Sequence, residues 1–133
     1  MDIDRPDVVA EVTAAFIDYE KALVAGDVRA LGEWFWDSPD VTRFGIADRQ
    51  TGAEELRAWR AAQPPLPPGR RLYDTRVTAF GTDLATVTTM FDYPGGADRP
   101  GRQSQTWVRL PDGWRIVHAH VSHPTPLPPP PPR

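Results

Sequence analysis

The sequence contains no cysteine, so it can form no disulfide, offer no thiolate nucleophile and hold no thiolate-ligated metal. Lysine is almost absent too: Lys21 stands alone beside fourteen arginines, a ratio that reflects coding bias as much as chemistry. Positive charge is not in excess, with a formal net charge of −3 and an isoelectric point near 5.5. Without a basic stripe to neutralise phosphates, general nucleic-acid binding is argued against. No run approaches the roughly 18 consecutive apolar residues of a membrane span, and the opening MDIDRPD is acidic where a signal peptide is basic and then apolar. The expectation is a soluble, cytoplasmic protein with no membrane partner. A Gly-rich phosphate loop, a Ser-His-Asp set and paired catalytic carboxylates are also missing; Asp37 and Asp40 in DSPD read as turn chemistry.

What is present fits one domain, since 133 residues suffice to bury a core and enclose a small-ligand cavity but not to build two enzymatic domains. Val9, Val12, Phe16, Tyr19 and Leu23 recur at steps of three and four, the stripe of an amphipathic helix, with Asp4 as its cap and Pro6 in its first turn. Tyr19 therefore faces inward. Gly26 supplies a stop, and Asp27 caps a second helix whose buried side is Leu31, Trp34 and Phe35. WDSP ends it, and the β-prone segment Val41 to Ile46 follows with Arg43 as its only charged member. Thr51 to Glu54 matches a capping box for a third helix, which Pro64 and Pro65 stop, and PPLPPG forms a rigid connector. Beyond it, four long β-branched and aromatic segments separated by turn residues predict an antiparallel meander. Helices first and sheet second is an α+β order. A strongly twisted sheet closed by a helix makes a cone with an open mouth, over residues 1–123. Residues 124–133 hold seven of the sixteen prolines and read as a polyproline II or disordered tail.

Several side chains are candidates for a site. Tyr19 is either a core tyrosine or a donor facing the cavity. Simple alternation sets Arg43 opposite Phe44 and Ile46, and it reaches a cavity lined by those two only through a bulge or a strand covered on both faces. His118 and His120 share one face of the last strand and His123 falls on the other. No acidic partner is spaced to complete a metal site, so neither metal nor cofactor is expected. Pocket lining by His118 and His120 and a structural role at the sheet or dimer surface both stand. Gln103, Gln105 and Trp107 share a face that suits a lined cavity, with Gln105 and Trp107 as ligand contacts. Trp34, Trp36 and Trp59 are wall or core aromatics, and Arg57 and Arg60 add positive potential at the mouth or form a solvated helix face.

The order of helix, short helix, strand, helix and four-strand meander resembles the nuclear transport factor 2-like cone fold, also called SnoaL-like or ketosteroid isomerase-like. The ending TWVRLPDGWRIVHAHVSH resembles its final hairpin. The resemblance spans nearly the whole chain. It implies an α+β NTF2-like cone, three N-terminal helices packed on a strongly curved, mostly antiparallel sheet, a fold that hosts many functions. Against bacterial ketosteroid isomerases, Tyr19 falls where those enzymes keep their oxyanion-hole tyrosine, and their aspartate base would fall at Arg43. A guanidinium cannot take a proton near neutral pH, so that chemistry is expected to be lost.

FWDSPDVTRFG, GRQSQTWVR and WRIVHAHVS look most like the AtzH- and HpxZ-like subgroup (DUF3225), often encoded beside amidases. That resemblance implies binding or decarboxylating amidohydrolysis of small carboxylated ureas such as 1,3-dicarboxyurea, with a helix tyrosine and a strand arginine as the essential pair, here Tyr19 and Arg43. Arg43 would grip a carboxylate through two charge-assisted hydrogen bonds and lower the Tyr19 phenol from its usual pKa of about 10. Tyr19 would donate to a carbonyl gaining charge or protonate a leaving nitrogen. The expected assembly is a homodimer pairing through the exposed sheet face, with an amidase as a possible partner. Two rival readings are a non-catalytic anion-binding or amidase-accessory protein, and an oligomerisation hub, since the final hairpin also resembles the association domain of calmodulin-dependent kinase.

Overall fold

A computed structural model describes residues 1–95, 100–124, 131 and 132. Residues 125–130 and 133 of the predicted Pro-rich tail lie outside the described residues. Three helices, α1 (Pro6–Ala25), α2 (Val28–Trp34) and α3 (Ala53–Ala61), pack on one curved sheet of six strands. The strands are β1 (Thr42–Phe44), β2 (Arg49–Thr51), β3 (Arg71–Phe80), β4 (Leu84–Asp92), β5 (Gly101–Leu110) and β6 (Gly113–Ser122), in the order β2-β1-β6-β5-β4-β3. All neighbours are antiparallel except β1 and β6, which run parallel with Arg43 opposite Ala119. No helix of the described residues is long and apolar enough to cross a membrane.

The α1 stripe closes the core: Val8, Val12, Phe16, Tyr19 and Leu23 are buried against Val87, Trp107 and Ile116 of the sheet's inner face. Helix α1 ends where Gly26 takes a left-handed φ of 68°, a conformation that favours glycine, and its N–H reaches back to the Leu23 carbonyl. Asp27 caps α2 as expected, its side chain accepting from the Ala30 N–H.

Two other caps differ from expectation. Asp4 does not cap α1; its backbone N–H and its carboxylate both bind the Ala79 backbone, tying the amino terminus to β3, and Arg5 occupies the N-cap without a side-chain bond. The Thr51 capping box is also absent. Thr51 is spent as the last residue of β2, a strand too short to be read from its sequence, and Gly52 stands at the N-cap. The antiparallel hairpin β1–β2 thus extends the meander by two short strands, joined to it by the parallel pairing of β1 with β6.

Two irregularities bend the sheet. The β3–β4 register shifts between Tyr73 and Arg76, where Asp74 has a positive φ of 54°. On β6, Thr106 faces His118 while Trp107 faces Ile116, which leaves Val117 as an extra residue. A bulge of this kind sharpens twist and flips the inward and outward assignment of every residue beyond it. Trp114 and Ile116 therefore point into the core, as do Ala119 and Val121 beyond the bulge.

Curvature also relies on a close approach between β4 and β5. A methyl group built on Gly101 would overlap the Phe91 ring, which lies over the Arg70 guanidinium. Gly101→Ala is therefore expected to cost about 1–3 kcal/mol through overpacking, read as a lowered urea midpoint with an unchanged slope.

Candidate functional site

Between α1, α3, the 64–67 connector and the sheet's inner face lies a cavity of about 530 Å³. Tyr19, Arg43, Trp59, Arg60 and Gln105 line it, so the structure brings these five predicted residues together. Arg43 points inward and is 8% exposed, while Phe44 beside it is turned out and 44% exposed. Phe44 belongs to the outer face, while Ile46 lines the cavity with Arg43 because β1 ends at Phe44 and strand alternation does not extend to it.

His118 and His120 are corrections. Naive alternation from the core residues Trp114 and Ile116 carries them inward, but the Val117 bulge turns them to the outer face, where both rings pack edge-on against Phe44 and His118 Nδ1 meets the Thr42 hydroxyl. The same flip brings His123 to the cavity wall. Its Nδ1 lies 2.9 Å from the Pro100 carbonyl, and since a carbonyl only accepts, Nδ1 carries the proton there. Trp107, Trp34 and Trp36 do not line the cavity either. Trp107 is wholly buried and stands edge-on to both Tyr19 and Trp34, and Trp36 packs against the core. The wall positions expected of these indoles are filled by Leu66 and the connector prolines Pro64, Pro65 and Pro67.

Arg43 is held from one side only. Its Nη1 donates to Asp48 Oδ1 at 2.8 Å and to Gln50 Oε1 at 3.0 Å, and Gln50 Nε2 donates to the same Asp48 oxygen. Its guanidinium carbon lies 3.9 Å from the centre of the Trp59 ring, and the Arg60 carbon lies 4.7 Å from the same ring. Burial foremost, then the Arg60 charge, pulls the Arg43 pKa below its ordinary value, yet a guanidinium stays charged at any working pH.

Tyr19 contradicts the expected direction. Its ring is wedged edge-on between Phe35 and Trp107, and burial pushes the phenol above its ordinary pKa, outweighing the opposing pull of Arg60 and Arg43. At neutral pH it is a protonated donor, and its hydroxyl has no hydrogen-bond partner among the described residues. Gln105, 2% exposed, accepts at Oε1 from the Trp107 indole N–H at 3.0 Å, whereas its Nε2 has no partner.

A further group escaped the reading of the sequence. Arg70, just before β3, donates from Nε and Nη2 to the two Glu20 oxygens at 3.0 and 3.2 Å and from Nη2 to Gln103 Oε1 at 3.1 Å. Gln103 Nε2 donates to Glu20 Oε1. Burial works against the Arg70 charge, but the Glu20 hydrogen bonds and charge prevail and its pKa is raised. The available signal was Glu20 itself, a carboxylate within an otherwise apolar stripe, which requires a buried partner.

A model of the AtzH-like family matches residues 1–125. A cystatin-like fold protein from Burkholderia xenovorans LB400 is 50% identical with a TM-score of 0.89, over 95% of this chain and 99% of that one. A DUF3225-family protein of unknown function from Pectobacterium atrosepticum SCRI1043 is 46% identical with a TM-score of 0.89, over 93% and 96%. An NTF2-like protein of unknown function from Pseudomonas putida KT2440 shares the fold at 19% identity and a TM-score of 0.80, over 92% and 91%. No curated protein matches the chain.

Two outcomes follow from this geometry. Glu20→Ala leaves the Arg70 charge buried without its partner and is expected to cost about 3–5 kcal/mol in chemical denaturation. The folded protein holds the Tyr19 proton more tightly than the unfolded chain, so that stabilisation is intact below about pH 10 and is lost as pH rises through the higher folded pKa. Tyr19→Phe is thus expected to flatten the alkaline fall in stability measured between about pH 9 and pH 11.

Proposed function

The chain belongs to the AtzH-like family, and on that premise we propose that its cavity takes a small carboxylated amide or urea, of the 1,3-dicarboxyurea kind, and performs decarboxylating amidohydrolysis on it. The observation that supports this reading most is the polarity of the wall. Arg43, Arg60, Tyr19 and Gln105 all offer donors, while Asp48, the one carboxylate on the wall among the described residues, is tied to Arg43. Such a wall suits a ligand that is anionic and rich in acceptor oxygens. Among the described residues Arg43 bonds the protein through Nη1 alone, so Nε and Nη2 remain to grip a carboxylate side-on through two parallel bonds. Arg60, sharing the Trp59 ring with Arg43, adds a second positive charge that an entering anion relieves.

In the reaction the bond between nitrogen and the departing carboxylate breaks and carbon dioxide leaves. The electron pair passes to nitrogen and spreads onto the adjoining carbonyl oxygen, and nitrogen then takes up a proton. Only interactions that strengthen in the transition state accelerate this step. Arg43 is therefore productive on the carboxylate that stays, because on the departing one it would stabilise the ground state. Tyr19, kept protonated by its burial, donates to the carbonyl oxygen on which charge grows. This division of labour asks for two carboxylates, one held and one lost.

Binding without turnover, as an anion-binding or amidase-accessory protein, is the second reading, favoured by the absence of an unpaired carboxylate base on the wall among the described residues. Carbon dioxide release from freshly prepared 1,3-dicarboxyurea separates the two. The expected outcome is a Tyr19→Phe variant slowed about 100-fold in kcat and an Arg43→Met variant in which KM rises steeply. Unchanged substrate with wild-type protein, or Tyr19→Phe at full rate, removes the enzymatic reading.

A further inference from the structure

Gln105 carries an observation that the roles of Tyr19 and Arg43 do not absorb. Its side chain is 2% exposed, lines the cavity, and has a primary amide nitrogen with no hydrogen-bond partner among the described residues. A buried amide N–H left unpaired is costly, and native proteins keep such groups rarely and for a reason. The orientation of this amide is dictated chemically. The indole Nε1–H of Trp107 can only donate, so the Gln105 atom it meets at 3.0 Å must be the oxygen, and the nitrogen is the atom left without a partner. Trp107 is itself immobilised, fully buried and packed edge-on against Tyr19 and Trp34.

We infer that Gln105 is a second donor to the ligand carbonyl oxygen, acting beside the Tyr19 hydroxyl, and that Trp107 is the positioning residue that keeps its amide nitrogen available to the ligand. The inference rests on the cavity being the ligand site proposed above, and it specifies the ligand further: between its carboxylate and its far end stands a carbonyl oxygen that accepts two hydrogen bonds. Tyr19 and Gln105 both line the cavity and both contact the same buried Trp107 behind the wall, Tyr19 at its ring and Gln105 at its indole N–H. A donor that waits unpaired loses nothing to the free protein when ligand binds, so its bond adds nearly in full to affinity.

The test compares two stable probes of equal length by calorimetry: hydantoate, which has a carboxylate and a urea carbonyl, and valerate, which has the carboxylate alone. Wild-type protein is expected to favour hydantoate, and Gln105→Leu to lower hydantoate affinity about tenfold while leaving valerate unchanged. Trp107→Phe frees the amide to turn over and is expected to lose part of the preference. Arg43→Met weakens both probes alike. Because Gln105→Leu leaves the Trp107 indole without its acceptor, the double variant Trp107→Phe/Gln105→Met removes both polar groups together, and it should remain folded by thermal melting yet keep only the smaller preference that the Tyr19 donor sustains. A hydantoate preference undiminished in Gln105→Leu or in the double variant, or no preference in wild type, overturns the inference. Hydantoate preference without carbon dioxide release from dicarboxyurea would instead remove the enzymatic reading and leave Gln105 in place.

Discussion

A guanidinium taken out of water must have its charge met at close range, and this protein buries two of them on the concave face of a single sheet. Much of the architecture answers that requirement. Arg70 is met at every nitrogen: Glu20 from α1, Gln103 from β5 and Tyr93 after β4 take four of its five N–H donors, and the Phe91 ring lies beneath it. The cluster fastens the long helix to the sheet at the one place where the apolar stripe is interrupted. Arg43 is satisfied in part, by Asp48 and Gln50 on a single nitrogen, with the Trp59 ring against its face. Both cations line the cavity, but Arg70 is held at all three nitrogens by an ion pair across two elements, while Arg43 is held at one and has more donors to spare.

That contrast bears on how so small a fold holds charged and polar groups at fixed points of a largely apolar cavity. The connector prolines have little conformational freedom to lose and stand as a stiff rim. Trp107 fills the space beneath Tyr19, so the tyrosine ring is supported from below and from the side by Phe35. Tyr19 is braced by Phe35 and Trp107, and Gln105 by Trp107, all of them buried, the arrangement a binding site needs to hold its geometry before a ligand arrives.

How much of this could be read from the chain depends on the range of the interaction concerned. The α1 stripe, the Asp27 cap, the four long strands and the shared face of Gln103, Gln105 and Trp107 are written in local periodicity, and they were legible. So was the family, because its motifs are contiguous. The Val117 bulge was not, since it depends on how β6 pairs with β5, and one inserted residue exchanged His118 and His120 for His123 at the wall. Asp4 looked like a cap because nothing nearby competes for it; the Ala79 backbone, seventy-five residues away, does. The partner of Glu20 lies fifty residues further along the chain, so the sequence carried only the anomaly of a carboxylate in an apolar stripe.

The phenol of Tyr19 shows the same separation in energetic terms. Reasoning from charge alone, a neighbouring guanidinium favours the phenolate and should make the tyrosine more acidic. Desolvation acts in the other direction and is larger, because the ring sits among Phe35, Trp107 and the α1 stripe, where a phenolate would lose its hydration. The result is a neutral donor facing a fixed cation. Such a pair attracts an anion and stabilises charge that moves onto an oxygen, but it takes no proton from carbon. A substrate matched to it must bring its own leaving group, and carbon dioxide departing from a nitrogen needs no base to remove it. A cation rather than a base at Arg43 is then consistent with the other polar groups of the wall, which offer hydrogen bonds at Tyr19, Gln105 and Arg60 and keep the acidic Asp48 paired.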